Sequence, residues 1–458
     1  MENLSDLKAA LLDLANDSQT RDLSRRGLLA RASALGAMAL ASEASAQAEI
    51  TSQAIYAKTG PYGGNTLPAG VRVRLVPNVN GLTVNMIEAG TPGRPLVLLL
   101  HGFPNLGYSW RKVMPALAAA GYYAVSPDLR GYGRTTGWDN SFDADFIQFL
   151  SLNQVRDQIA LVHALGYHTV AMVVGHDTGA GIAVNSALIR PDIFLRLTFL
   201  GGQGGPPPSS FPFNIANGAP MPHPDYTNAE LDAAYAQLNP PRRAYGHYWA
   251  SKQADYDMKH LPPGMTMSSF FRAFYYMKSH DFPGNQNLRP LHAVHTAKEA
   301  AEQDAIIPEY YVMRRDRSMP ATMAAYMPSK ENIANCKWLT PAECDVYGQE
   351  YTLSGWTGAL HNYRRASFPG SRLEMMTFAG RTIDVPTQII SGKQDWGANR
   401  GVGGPEKAGQ RGFTTFKGVH MVDGGGHWVH EEQPEIVSQL LTSFLHATAT
   451  PGRRIAGE

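Results

Sequence analysis

Val173-Val174-Gly175-His176-Asp177-Thr178-Gly179-Ala180-Gly181 is an apolar, β-branched run that breaks at a glycine and resumes in small helix-forming residues. The pattern predicts a strand, a sharp turn and a helix over 178–190, with glycines on both sides of the turn residue so that backbones can approach. The turn residue is Asp177. A carboxylate there faces the free N–H groups and positive dipole end of the following helix, which favour its ionised form. An ionised carboxylate is a nucleophile. The same residues fit an aspartate that only caps the helix. Taken alone the two readings carry comparable weight, and the rest of the chain separates them.

Upstream, Leu96–Leu100 is a fully apolar run of five, the mark of a strand buried on both faces, and it ends in His101-Gly102-Phe103-Pro104. Helical periodicity over 110–120, a strand over 122–126, a long helix over 146–165 and strands over 170–174 and 195–200 follow in alternation. That rhythm predicts a parallel sheet covered on both faces. An antiparallel strand over 81–89 precedes it, and the polar, Gly- and Pro-rich residues 49–80 read as an arm. At Gly201-Gly202-Gln203-Gly204-Gly205-Pro206-Pro207-Pro208 the composition shifts. From 206 to about 375 no buried parallel strand can be found and Tyr, Phe, Met, His and Pro abound, so a helical cap inserted into the domain is expected. Strands over 387–390 and 419–422 and an amphipathic helix over 434–445 resume the rhythm. The expected fold is α/β, a mostly parallel sheet flanked by helices, built from 81–205 and 376–458 with a cap over 206–375. The insertion at about 284–345, which holds Arg314-Arg315-Asp316-Arg317 and both cysteines, reads only as a cap elaboration.

The 458 residues carry a formal net charge of +1, with 43% hydrophobic and 17% charged residues, an ordinary globular balance. No basic run could track a phosphate backbone, so nucleic acid is not an expected partner. Cys336 and Cys344 are too few for a disulfide scaffold. His292-x-x-His295 has no further ligand nearby, so neither a metal nor another cofactor is expected. Ser24-Arg25-Arg26-Gly27-Leu28-Leu29, a weakly hydrophobic stretch to Leu40 and Ala44-Ser45-Ala46-Gln47-Ala48 read as a twin-arginine export signal over 1–48, cleaved after Ala48. This predicts a periplasmic or secreted protein. Its apolar part is too short to span a bilayer and no cysteine stands at the cleavage site, so no membrane anchor is expected.

Over about 81–446 the chain resembles the α/β-hydrolase superfamily and, within it, the soluble epoxide hydrolases. Gly175-x-Asp177-x-Gly179 is similar to the nucleophile elbow of that superfamily, with aspartate in place of serine. His101-Gly102-Phe103-Pro104 matches its oxyanion motif, which implies that the backbone N–H groups of Phe103 and Thr178 bind an oxyanion. Asp395, in Ser391-Gly392-Lys393-Gln394-Asp395, fits the acid of a triad, and His427, in Gly424-Gly425-Gly426-His427-Trp428, fits the base, in the order nucleophile, acid, histidine. Gly358-Ala359-Leu360-His361-Asn362-Tyr363-Arg364 resembles the cap segment Gly-x-Leu-Asn-Tyr/Trp-Tyr-Arg that carries a proton-donating tyrosine, here Tyr363. His361 replaces the usual Asn and Asn362 the usual aromatic. Tyr245-Gly246-His247-Tyr248-Trp249 resembles the segment of the other donor, and the register favours Tyr245 over Tyr248.

The resemblance implies hydrolysis of a small apolar or aromatic epoxide by water to a vicinal diol. A carboxylate can displace oxygen at saturated carbon and become an ester, whereas serine suits acyl carbonyls. His427, oriented by Asp395, would then activate the water that opens the ester on Asp177. The leaving alkoxide needs a proton, and two cap tyrosines would supply it. One alternative is a haloalkane or haloacid dehalogenase with the same triad, which commonly carries Trp or Arg where Thr178 stands. Another is a non-catalytic protein that holds a small ligand on the same fold, which would have no need of the triad and the tyrosines together.

Overall fold

The computed structural model of the chain describes residues 60–201, 226–286, 288–289, 291–366, 368, 374–399 and 412–449. The expected export signal, the first residues of the cap and most of the loop after Asp395 lie outside them. The strands are β1 Val71–Val79, β2 Leu82–Ala89, β3 Leu96–Leu100, β4 Tyr123–Pro127, β5 Met172–His176, β6 Leu197–Leu200, β7 Arg242–Ala244, β8 Val312–Arg314, β9 Thr387–Gly392 and β10 Phe416–Val422. Eight of them form one sheet in the order β1-β2-β4-β3-β5-β6-β9-β10. From β4 to β10 all neighbours are parallel, and β1 and β2 add an antiparallel edge. Every residue of β3, β4 and β5 is buried, as continuous apolar runs require when helices cover both faces.

The covering helices of the sheet domain are α1 Met114–Ala119, α2 Ser151–Ala164 and α3 Thr178–Ile189. The cap holds α4 Asn228–Ala236, α5 Tyr245–Trp249, α6 Lys252–Lys259, α7 Met267–Lys278, α8 Ala297–Asp304, α9 Met319–Ala325, α10 Lys330–Asn335, α11 Pro341–Ser354 and α12 Thr357–Ala366. Then come α13 Trp396–Asn399, α14 Val429–Glu432 and α15 Pro434–Ala447. The cap is thus inserted between β6 and β9, two neighbours in the sheet. Because β3 leads to β4 on one side and β5 lies on the other, the strand order reverses there. In an open parallel sheet such a switch point opens a crevice at the carboxyl ends of the strands.

One expectation needs correction. The stretch 49–80 is not an arm throughout: Val71–Val79 pairs antiparallel with β2. Its first residues alternate Val and Arg, and Arg72 and Arg74 both turn outward to Glu88, at 3.1 and 3.6 Å. The alternation is masked by Pro77-Asn78, where the register shifts and Asn78 takes a positive φ of 63°. The insertion is bound into the cap. Its β8 pairs with β7 in a two-stranded ribbon, and the N–H of Tyr245 donates to Tyr311 O at 2.9 Å. Both cysteines are free thiols. Among the described residues no helix is long and apolar enough to cross a membrane.

Candidate active site

Asp177 stands between β5 and α3 with φ 50° and ψ −120°, a conformation that L-residues rarely hold and that costs on the order of 1–3 kcal/mol. The two glycines explain how the turn closes. A Cβ on Gly175 would collide with the Gly179 carbonyl, and one on Gly179 would lie 2.6 Å from the Leu100 carbonyl oxygen. The strained φ also argues against a helix cap, because it aims the side chain away from the helix it precedes. Asp177 makes no capping bond to α3. Its Oδ1 instead accepts the Phe103 N–H at 3.0 Å, and its Oδ2 lies 3.4 Å from His427 Nε2. Burial opposes ionisation of Asp177, but the hydrogen bond and charge of His427, followed by the charge of Lys278, outweigh it and hold the carboxyl well below its ordinary range.

His427 follows β10, and Asp395 follows β9. His427 Nδ1 lies 3.2 Å from both carboxylate oxygens of Asp395, which leaves Nε2 facing Asp177. Asp395 is itself tied down, since its Oδ1 accepts the Gly397 N–H at 2.6 Å. Burial and Lys278 push the His427 pKa down, while the charge of Asp395 and the hydrogen bonds to Asp177 and Asp395 push it up, and the net direction is upward. Under the triad sit further imidazoles that stay neutral. His176, lowered to about 3 chiefly by burial, donates from Nε2 to the His427 carbonyl at 2.8 Å. His101, lowered to about 4 chiefly by burial, accepts the Leu129 N–H on Nε2.

The cap supplies aromatic groups above this carboxylate. The Tyr363 ring, on α12, meets Phe103 edge-on at 4.8 Å and Tyr245 at 5.7 Å, and the two hydroxyls interact. Burial first, then the neighbouring Tyr245 and Asp177, raise the Tyr363 pKa well above 10, so its phenol keeps its proton. Trp249 and Trp356 stack at 5.7 Å and close the wall behind Phe103. Tyr248 points elsewhere: its hydroxyl donates to Asp257 at 2.9 Å and its ring lies under Arg243. The N-terminal residue of α3, Thr178, hydrogen-bonds through its side chain to Tyr132. The unusual Asn362 joins that network by donating to the Tyr132 hydroxyl at 3.1 Å and accepting from Gln154 at 2.9 Å. His361 packs on Phe149 at 4.5 Å and bonds to the Ser141 carbonyl. Polar bonds to the core thus fill the two positions where the segment departs from the usual pattern.

A strand-turn-helix elbow, an acid and a histidine after successive later strands, and a cap between β6 and β9 make a combination that can be compared with known families. The family described as the alpha/beta hydrolase fold matches residues 95–434. This chain belongs to it. Among α/β-hydrolase relatives, Epoxide hydrolase A of Mycobacterium tuberculosis is 27% identical over 81% of this chain and 96% of its own length. An epoxide hydrolase of Caballeronia sordidicola is 29% identical, covering 80% and 91% respectively. The solved epoxide hydrolase from an endophytic Streptomyces aligns with a TM-score of 0.61 at 30% identity, over 83% of this chain and 96% of that one.

Within the α/β-hydrolase frame three groups around the triad were not singled out by the sequence. Glu432 accepts the N–H groups of both neighbours of His427, Gly426 and Trp428, each at 3.0 Å, and that of His280 at 2.8 Å. Burial pushes its carboxyl up to about 8 despite these three donors. Lys278, at the end of α7, accepts the His427 N–H on its carbonyl at 2.8 Å. Tyr311 packs edge-on against Tyr245 at 4.9 Å. Glu432, Lys278 and Tyr311 carry no local signal, since a lysine in the last turn of a helix is the ordinary complement of its dipole.

Proposed function

We propose that this protein hydrolyses an epoxide to a vicinal diol through an ester on Asp177. The observation that carries this reading is the placement of the Tyr363 ring against Phe103, whose N–H holds Asp177, with Tyr245 packed on Tyr363. A carboxylate beneath a pair of proton donors suits a ring that must be attacked at carbon and protonated at oxygen in one step.

Asp177 Oδ2 attacks an epoxide carbon, the C–O bond breaks, and the departing oxygen takes a proton from the phenol pair. The phenolate formed recovers a proton from the His427 imidazolium. Neutral His427, held by Asp395, then takes a proton from water as the water oxygen adds to the Asp177 carboxyl carbon. The Phe103 N–H, with that of Thr178, receives the oxyanion. Collapse of the tetrahedral intermediate releases the diol and restores the Asp177 carboxylate beside a protonated His427, so the cycle needs no outside acid. The dehalogenase alternative has less support, since Thr178 directs its hydroxyl to Tyr132 and is no indole or guanidinium donor.

The test uses full-length His427→Gln protein mixed with styrene oxide and a panel of alkyl epoxides. Intact mass should rise by one substrate, while wild type forms diol. Absence of an adduct under conditions where wild type turns over overturns the ester, and halide release that exceeds diol formation across a matched panel overturns the reaction. We also propose that residues 1–48 direct export of the folded protein through the twin arginines. Arg25→Lys with Arg26→Lys should retain it in the cytoplasm, and an unchanged periplasmic yield would remove the signal.

A further inference from the structure

The chain reaches His427 through Gly424-Gly425-Gly426, a run with more backbone freedom to lose than any other three residues. The triad contacts alone tie the base loosely. Its Nδ1 stands 3.2 Å from both Asp395 oxygens and its Nε2 3.4 Å from Asp177, at or beyond the long end of the hydrogen-bond range. The backbone is held far better. Three successive N–H groups have buried acceptors: Gly426 donates to Glu432 Oε2 at 3.0 Å, His427 to the Lys278 carbonyl at 2.8 Å and Trp428 to Glu432 Oε1 at 3.0 Å. Glu432 Oε2 also accepts the His280 N–H at 2.8 Å. One buried carboxyl thus grips both neighbours of the base and the cap segment that follows α7. The approach is close, since a Cβ on Gly426 would lie 2.5 Å from the His280 nitrogen.

We infer that Glu432 is the positioning residue that keeps the His427 imidazole in reach of the Asp177 ester, by clamping its loop to the cap segment after α7. The inference rests on the ester proposed above. The two carboxyl oxygens divide the task. Oε2 can take its two N–H groups whether the carboxyl is ionised or neutral, whereas Oε1 is a full acceptor for the Trp428 N–H only when it carries no proton. Attack and hydrolysis make unequal demands on this clamp. In attack, Asp177 supplies the electron pair and the phenols supply the proton, and none of these groups lies on the loop. In hydrolysis the imidazole is the base, and it must hold a water against the Asp177 carboxyl carbon. A misplacement of about 1 Å at that step costs on the order of 10²-fold. The oxygens of Glu432 are engaged by backbone N–H groups, so it acts through the loop and not on the reacting atoms.

The experiment measures single-turnover ester formation and ester hydrolysis separately, in the full chain with styrene oxide, for wild type, Glu432→Leu, Glu432→Gln and Gly426→Ala. Glu432→Leu loses all three bonds and should slow hydrolysis by on the order of 10²-fold, so that the ester accumulates, while ester formation stays within about threefold of wild type. Glu432→Gln keeps an amide oxygen for Gly426 and His280 but offers no acceptor to Trp428, and it should restore hydrolysis to roughly tenfold below wild type. Gly426→Ala leaves the carboxyl in place and pushes the loop off His280, so it too should slow hydrolysis alone. Wild-type hydrolysis in both Glu432 variants, with adduct still formed, overturns the role of Glu432 and leaves the ester intact. Equal slowing of the two steps overturns it as well, because a carboxyl that only stabilises the fold would not tell them apart. If neither Glu432 variant folds, Gly426→Ala decides, and unchanged hydrolysis in it sinks the clamp. Absence of an adduct in His427→Gln, where wild type turns over, means that the ester itself fails.

Discussion

Gly131 and Gly358 meet backbone against backbone, where the loop after β4 touches the start of α12. A Cβ on Gly131 would lie 2.6 Å from the Gly358 carbonyl oxygen, and one on Gly358 would run into the Gly131 carbonyl and the Trp138 ring. This contact sets how deeply the helix that carries Tyr363 settles onto the sheet domain. Gly358→Ala should therefore lift α12 by a fraction of an ångström to one ångström and slow alkylation by roughly 10- to 100-fold. Hydrolysis of a preformed ester should change far less, because its residues lie on the sheet domain. Rapid-quench measurement of the two steps checks this, and equal slowing of both would mean that the contact serves general stability.

The tyrosines should separate cleanly. Tyr363→Phe and Tyr245→Phe should each slow alkylation by ~10², the range for a lost acid or oxyanion donor, with hydrolysis largely unaffected. Tyr248→Phe should leave alkylation within about twofold of wild type and cost about 1 kcal/mol of stability through the lost bond to Asp257. Stopped-flow alkylation rates and denaturant unfolding give the two readouts. Wild-type alkylation by Tyr363→Phe would remove the assignment.

The pH dependence of attack should depend on His427. Asp177 is held ionised below its ordinary value of 3.8 by the hydrogen bond and charge of His427, against burial. Wild-type alkylation should accordingly show no break due to Asp177 as pH falls toward 4. In His427→Gln the charge is gone and burial remains, so the Asp177 pKa rises and adduct formation should fall as pH drops through the carboxylate range. The adduct rate of the variant between pH 4 and 7, followed by mass, tests the sign.

Arg111 is fully buried and joins the two domains. It meets Glu343 of α11 at 2.8 Å and Glu431 of α14, next to the His427 loop, at 2.7 Å. Lys112 also holds Glu343, at 2.9 Å, but Arg111→Met would leave the buried Glu431 carboxylate without its cation, at a cost of about 3–5 kcal/mol. Urea unfolding should show that loss, and activity below the transition should fall as well, since α14 also carries Glu432. Arg190, in an exposed pair with Asp192, is the control: Arg190→Ala should change stability by less than about 1 kcal/mol.

The sequence by itself determined the elbow, the alternation of strand and helix, and the residues after β3, β5, β9 and β10. These are legible because a short run encodes them: glycines at a fixed spacing allow only a tight turn around Asp177, and continuous apolar runs demand burial on both faces. The order of Asp177, Asp395 and His427 in the chain likewise needs no coordinates. Tertiary structure decided what those motifs meet. Whether Asp177 capped α3 or faced His427 depended on one backbone angle, and which of Tyr245 and Tyr248 meets Tyr363 depended on the ribbon from the insertion and on the bond from Tyr248 to Asp257. The Val71–Val79 strand was hidden by a proline and a register shift, since pairing with β2 and the turn outward of two arginines overrode local composition. Arg111 acts through Glu343 and Glu431, neighbours from distant parts of the chain. A charge has its effect through what surrounds it in space, and the short-range pattern of a sequence does not record which elements will pack together.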